Sequence, residues 1–269
     1  MPELPEVETT LKGIKPHLHK QTIKQFIVRN PNLRWPVSES VSDLAGLKIE
    51  SLWRRGKYII MEIGEHHLLW HLGMSGSMTI LPSGSRQKKH DHIEMQLDTG
   101  QSLMYHDPRR FGSLLITDEN PLQHPLLARL GVEPLTEDFD SDFLFRTSRK
   151  RQTPIKSFIM DSHQVVGVGN IYACEALFAA GIDPTRIAGS LSRKRLVILV
   201  QQIKRILKEA IQQGGSTLRD FTQADGQPGY FAQSLKVYGS QAQCPSCKTS
   251  IKRITQNQRS SFYCPKCQT

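Results

Sequence analysis

The chain has 269 residues, enough for about two domains and a sizeable core. Hydrophobic residues make up 38% and charged residues 22%, which excludes an intrinsically disordered chain, and no apolar run approaches the ~18 residues of a membrane-spanning helix. Lys and Arg number 35 against 25 Asp and Glu, a net charge of +10 that points to a polyanionic partner, either nucleic acid or an anionic membrane surface.

The chain opens MPELPEVETT, which has neither the basic region nor the apolar stretch of a secretory signal. Val7, Leu11 and Ile14 fall on one stripe and predict an amphipathic helix from Pro5 to about Leu18, with Pro5 near its first turn. From about Gln21 to Asp118 the pattern changes to short runs: TIKQFIVRN, LKIESLWR, KYIIMEI, HHLLWHL, SMTILP, HIEMQL and SLMYH. Gly, Pro, Asp and Ser separate them, as in an antiparallel sandwich or barrel. Beyond Pro121 the periodicity is helical, over 122–130, 154–160, 170–180 and 192–213. The last of these presents Leu196, Val197, Val200, Ile203, Ile206, Leu207 and Ile211 on one face and ends at Gly214-Gly215. Residues 216–238 mix Gly, Pro, Asp and aromatics and read as a loop with one short helix.

Four of the five cysteines close the chain as C-x2-C-x16-C-x2-C: Cys244, Cys247, Cys264 and Cys267. Each CxxC turn brings two thiolates to one side of a metal, and two turns complete a tetrahedron around a structural zinc ion. Two disulfides are the alternative, disfavoured in a reducing compartment. Cys174, on a helical pattern, reads as a buried apolar residue. The charge is concentrated in the same region. Residues 226–269 contain no acid and six bases: Lys236, Lys248, Lys252, Arg253, Arg259 and Lys266. Such a surface neutralises phosphates.

The N-terminus also offers chemistry. A small second residue permits removal of Met1, leaving a secondary amine on Pro2. An α-amine titrates at ~8, well below lysine, so an appreciable fraction is unprotonated at physiological pH and can form a Schiff base with an aldehyde-like carbon. Glu3 beside it offers a general acid. By residue type alone, Pro2 and Glu3 are equally the ordinary start of a chain, and Lys57 is an ordinary lysine at the head of a strand.

In order along the chain stand PELPEVET, RRGKY (54–58), HLGMSG (71–76), KHDH (89–92), DPRRFG (107–112), VVGVGNIYA (165–173), GGSTLRDF (214–221), PGYF (228–231) and the cysteine ribbon. With these motifs the sequence resembles the formamidopyrimidine-DNA glycosylases of the Fpg/Nei family, bifunctional DNA glycosylase/AP lyases of bacterial base-excision repair. The resemblance covers essentially the whole chain. It implies an α+β fold of two domains: an N-terminal helix with an antiparallel β-sandwich, then a helical helix–two-turn–helix domain carrying the zinc ribbon. The expected segments are 1–132 (catalytic sandwich), 133–234 (helical DNA-binding domain with a lesion-covering loop) and 235–269 (zinc ribbon), with DNA in the cleft between the domains.

The resemblance further implies removal of 8-oxoguanine and formamidopyrimidines from duplex DNA through a Schiff base on Pro2, then strand cleavage by β- and δ-elimination. Glu3 matches the proton donor, Lys57 the β-elimination cation and Arg259 the δ-elimination residue. Met74, Arg109 and Phe111 match the residues that fill the space left by the everted nucleotide. Their types suit that role, with two apolar wedges and a base-bonding arginine. His90, Lys150 and Asn170 match DNA contacts, with Lys156 and Tyr238 as further candidates. Asn170 follows two glycines at a predicted helix start, where free backbone amides favour phosphate. Leu4 and the Met74/Arg109/Phe111 set favour the purine enzymes over the pyrimidine-preferring relatives resembling endonuclease VIII. One structural zinc and no redox cofactor are expected, as are damaged duplex DNA as partner, no membrane, a monomer, and a bacterial cytoplasmic, nucleoid-associated location. A zinc-ribbon nucleic-acid-binding protein without catalysis is the rival reading; it leaves Pro2, Glu3 and Lys57 without a role.

Overall fold

The computed structural model describes residues 2–216, 224, 229–239 and 242–269. It divides into two compact units, residues 1–129 with 213–232, and residues 130–212 with 233–269.

The first unit opens with helix α1 (Leu4–Leu18), which carries proline in its first turn, where no N–H partner is lost. Eight strands follow: β1 (Ile23–Val28), β2 (Ile49–Arg55), β3 (Tyr58–Ile63), β4 (His66–His71), β5 (Ser77–Pro82), β6 (Asp91–Leu97), β7 (Gln101–His106) and β8 (Ser113–Thr117). They form two antiparallel four-stranded sheets in the orders β1-β6-β7-β5 and β2-β3-β4-β8. A single apolar cluster takes Ile23 and Met95 from one sheet, Leu52, Ile59 and Trp70 from the other, and Val7, Leu11 and Ile14 from α1. Both sheets and the helix therefore share one core, and of the sandwich and barrel that the strand pattern allows it is the sandwich that forms. The seven runs named above all fall on β1 to β7. Strand β8 lies outside them.

The second unit contains α2 (Ser141–Ser148), α3 (Ile155–Ile159), α4 (Asn170–Ala179) and α5 (Arg193–Gln212), then the hairpin β9 (Lys252–Gln256) and β10 (Arg259–Tyr263). Helices α3, α4 and α5 coincide with predicted ones, and Cys174 is buried in α4. The helix expected over 122–130 is absent; only Pro121–Gln123 form a single 3-10 turn. Pro125 explains this, because a proline disfavours helical backbone at the residue before it. Conversely, α2 has no counterpart among the expected helices. It is started by Asp140, whose carboxylate accepts the Phe143 N–H at 2.7 Å, and it buries only Leu144 and Ser148, too few to leave a periodic signal. A 3-10 turn at Phe231–Ser234 supplies the short helix expected in 216–238. Most of the expected lesion-covering loop, residues 217–223 and 225–228, lies outside the described residues.

Candidate functional site

In the first unit Pro2 and Glu3 are buried at the head of α1. The Glu3 N–H donates to Glu6 Oε2 at 2.8 Å, and Glu6 Oε1 accepts the Ser216 N–H at 2.8 Å. Glu6, itself 1% exposed, thus joins the first turn of the helix to the segment that leaves Gly214-Gly215. Gly215 is required there. Its φ is +80°, and a Cβ would lie 3.0 Å from Glu6 Oε1.

Helix α1 packs against β2 and β3, and the turn between those strands is Gly56-Lys57. Lys57 therefore sits in a two-residue hairpin turn, one position before the strand in which the sequence pattern places it. Gly56 has φ +58°, and Arg54 fixes the turn from beneath by donating to the Gly56 carbonyl (3.0 Å) and to Glu8 Oε2 on α1 (2.8 Å). His71, the last residue of β4, packs at a tilt against Tyr58, with ring centroids 4.8 Å apart and ring planes 54° apart. Burial, reinforced by the charges of Lys57 and Arg34, pulls the His71 imidazole from 6.5 down to about 4. It is neutral at physiological pH. Its Nδ1 accepts the Gly73 N–H at 3.0 Å, so the proton resides on Nε2, which is left as a donor. Sequence reasoning misses this residue; the signal is a histidine directly before a glycine turn that begins beside Lys57.

Met74 occupies the turn between β4 and β5, and Arg109 and Phe111 the loop between β7 and β8. The Arg109 guanidinium lies 4.8 Å from the Phe111 ring centroid. Phe111 is 46% exposed, an unusual state for phenylalanine without a partner surface. His90 has φ +78° and stands about equally far from two more imidazoles, 6.1 Å from His92 and 6.0 Å from His106. Lost hydration, then the charges of Lys89, His106, His92 and Arg110, hold its pKa below the usual histidine value.

In the second unit Lys150 is exposed just after α2, and Asn170 is the first residue of α4. Lys156 is not at the surface. It is 1% exposed, and its ammonium donates to Asn170 Oδ1 at 2.5 Å, Ser261 Oγ at 2.6 Å and the Ser260 carbonyl at 3.2 Å. The ammonium thus faces acceptors inside the protein and ties Asn170 to β10. Asn170 Nδ2 completes the link by donating to the Ser260 carbonyl (2.9 Å) and the Tyr238 hydroxyl (3.3 Å). Tyr238 is fixed in turn by Glu175, whose carboxylate accepts the N–H groups of Lys236, Val237 and Tyr238 at 2.8–3.0 Å. Arg259, exposed, opens β10 at the tip of the hairpin. One network thus joins Asn170, Tyr238 and the strand that Arg259 begins.

The Sγ atoms of Cys244, Cys247, Cys264 and Cys267 all lie within 4.8 Å of one another. Pairs stand 3.8 Å (Cys244–Cys267) and 3.4 Å (Cys247–Cys264) apart, and none is bridged. Sulfurs ~3.8 Å apart are what a tetrahedron of ~2.3 Å zinc–sulfur bonds produces. The four thiolates are placed to hold one zinc ion, which closes the disulfide alternative. Four protein ligands leave no open position, so the ion there is structural.

Three family models match the chain, one after another. Residues 1–114 match the formamidopyrimidine-DNA glycosylase N-terminal domain, 130–222 the formamidopyrimidine-DNA glycosylase H2TH domain, and 243–269 the zinc finger found in FPG and IleRS. Curated relatives include the formamidopyrimidine-DNA glycosylases of Stutzerimonas stutzeri and Pasteurella multocida. They are 54% and 50% identical, cover all of this chain, and are themselves covered over 100% and 99% of their length. Among solved structures, MutM (FPG) from Thermus thermophilus superposes with TM-score 0.88 at 37% identity, covering 99% of this chain and 98% of its own. A Lactococcus lactis FPG mutant in complex with Fapy-dG containing DNA gives 0.91 at 33% identity, covering 99% of both chains. MutM in complex with carbocyclic 8-oxo-G containing DNA gives 0.90 at 34%, with the same coverage. No helix among the described residues is long and apolar enough to cross a membrane. With full-length relatives at half identity and matching domains in matching order, the chain belongs to the formamidopyrimidine-DNA glycosylase family.

Proposed function

We propose that this protein removes oxidised purines, 8-oxoguanine and formamidopyrimidines, from duplex DNA and then cleaves the strand. The observation that carries the reading is the head of α1: a proline nitrogen one residue from a buried carboxylate, on a helix packed against the two strands whose connecting turn holds Lys57. The processed Pro2 amine attacks C1′ of the damaged nucleotide; the base leaves with the electron pair of the broken C1′ bond and takes up a proton, and the attacking nitrogen gives up its own. Glu3 delivers a proton to the sugar-ring oxygen, which opens the ring and leaves an iminium between Pro2 and C1′. The iminium is an electron sink. Loss of a C2′ proton expels the 3′ phosphate by β-elimination, and a second loss expels the 5′ phosphate by δ-elimination. Lys57 steadies the charge that leaves in the first step and Arg259 that in the second. Neutral His71 offers an Nε2 hydrogen to a phosphate oxygen without adding charge.

The base must leave the stack before C1′ is reachable. Met74 and Phe111 replace the lost stacking, and Arg109 bonds the widowed base. His90, Lys150, Asn170 and Tyr238 hold the backbone, Asn170 from the start of α4, where free amides favour phosphate. Lys156 supports that grip from within. The three-part division at about 132 and 234, monomeric behaviour and a cytoplasmic place of action belong to the same proposal. Paired oligonucleotides test it. Duplexes carrying 8-oxoguanine opposite cytosine should be incised far faster than duplexes carrying an oxidised pyrimidine. Equal or reversed rates would move the protein to the pyrimidine-preferring relatives.

A further inference from the structure

Asp107 is completely buried at the end of β7, yet all four of its polar atoms are engaged, by groups from several loops of the first unit. Its carboxylate accepts the Ser75 hydroxyl at 2.6 Å, the Gly112 N–H at 2.8 Å and the Tyr105 phenol at 3.1 Å. Its N–H donates to the His90 carbonyl at 3.0 Å. Its own carbonyl accepts the Arg110 N–H at 3.2 Å and lies 2.8 Å from His92 Nε2. Ser75 passes the connection on, because its oxygen accepts the Arg109 N–H at 3.2 Å. Burial raises the Tyr105 phenol well above its ordinary pKa, and the adjacent Asp107 charge raises it further, so the phenol stays a donor.

The packing around this carboxylate has no slack. A Cβ on Gly112 would lie 1.7 Å from Tyr105 Oη, and one on Gly73 would lie 2.3 Å from the Gly112 nitrogen. The turn that carries Met74 and the loop that carries Arg109 and Phe111 are thus pressed together and pinned to one buried charge. The loop that carries His90 is tied to the same residue.

We propose that Asp107, acting through Ser75, is a positioning residue that holds Met74, Arg109 and Phe111 as one pre-assembled wedge. This rests on the reading of those three as the residues that fill the vacated stack. Unstacking a nucleotide and filling its space occur together. Two independently mobile loops would have to be ordered during that step, whereas a wedge already in register is ordered on folding. Asp107 has no exposed surface, so it acts on DNA only through the loops it holds.

The test uses the full chain and two duplexes, one with 8-oxoguanine opposite cytosine and one with an abasic site, which has no base to evert. The variants are Ser75→Ala, which leaves the other bonds of Asp107 in place, and Asp107→Asn. Met74→Ala and Phe111→Ala report on the wedge itself. Ser75→Ala should slow single-turnover excision of paired 8-oxoguanine by about 10-fold or more, the effect of one hydrogen bond to a charged group. Abasic-site cleavage should change by less than about 3-fold, and a 2-aminopurine beside the lesion should lose its fluorescence rise. A variant that slows both substrates equally, or neither, while Met74→Ala and Phe111→Ala are selective, overturns the positioning role and leaves the wedge standing. If Met74→Ala and Phe111→Ala show no selectivity, the wedge reading fails and the proposal falls with it.

Discussion

Replacing Lys156 by methionine separates two uses of a lysine in a DNA-binding protein. The change keeps length and removes the ammonium, and with it the bonds to Asn170 Oδ1 (2.5 Å), Ser261 Oγ (2.6 Å) and the Ser260 carbonyl (3.2 Å). Each bond to a charged donor contributes ~1.5–3 kcal/mol, and the orphaned Asn170 oxygen costs a further ~1–3 kcal/mol. Against this, the variant no longer carries the several kcal/mol needed to strip water from a buried ammonium. The balance is a loss of ~3 kcal/mol or more, read as a lower urea midpoint with an unchanged slope. Asn170 keeps its bonds to Ser260 and Tyr238 through Nδ2 but loses the one that fixes Oδ1. DNA affinity should therefore fall, by about 10-fold for one misdirected contact. The salt dependence discriminates. A lysine on a phosphate contributes ~0.9 to the slope of log K against log salt. Lys156→Met should leave that slope unchanged, whereas Lys150→Ala at the exposed end of α2 should reduce it by about that amount. Stability within ~0.5 kcal/mol of the parent, or a slope reduced as for Lys150→Ala, would refute the internal role.

The His71 imidazole is held at about 4 against an ordinary 6.5, so between those values the unfolded chain binds the extra proton and the folded chain does not. Its stabilising share is complete above pH 6.5 and is lost as the pH falls toward 4, at most ~3 kcal/mol; His71→Gln should flatten the melting temperature over that window relative to the parent, and parallel profiles would contradict this. Gly112→Ala forces a Cβ to 1.7 Å from Tyr105 Oη and 2.7 Å from the His71 carbonyl, and should cost ~3 kcal/mol or more in a denaturant titration. Stripping zinc with a strong chelator should melt the β9–β10 hairpin and abolish DNA binding, with recovery on adding the metal back; full affinity of metal-free protein would exclude a structural ion.

Local pattern carries far in this chain. Short apolar runs set apart by turn residues mark β1 to β7, the α5 face is buried at Leu196, Val200, Ile203, Ile206 and Leu207, and the cysteine spacing alone locates the metal site. Prolines and short elements are where pattern weakens: Pro125 breaks the 122–130 helix, and α2 hides too little apolar surface to show a period. The residues of the proposed site divide the same way. Those with a recognisable motif, such as Pro2, Met74 and Asn170, are legible in the sequence. Lys156 reads there as a DNA-contacting cation, because a lysine's burial depends on partners about a hundred residues distant, Ser260 and Ser261. His71 and Asp107 stand within motifs that draw notice for other residues. A neutral imidazole or a carboxylate gathering several loops exists only once those loops have met.

The central claim is that the amine of Pro2 becomes covalently joined to C1′ of the lesion nucleotide. Borohydride added during turnover of 8-oxoguanine duplex reduces an iminium to a stable amine and locks protein to DNA. A trapped adduct is expected whose linked peptide begins at Pro2, and it should disappear when residues are added ahead of Pro2. The absence of an adduct with the processed N-terminus, or an adduct mapped to Lys57 or another lysine, would contradict it.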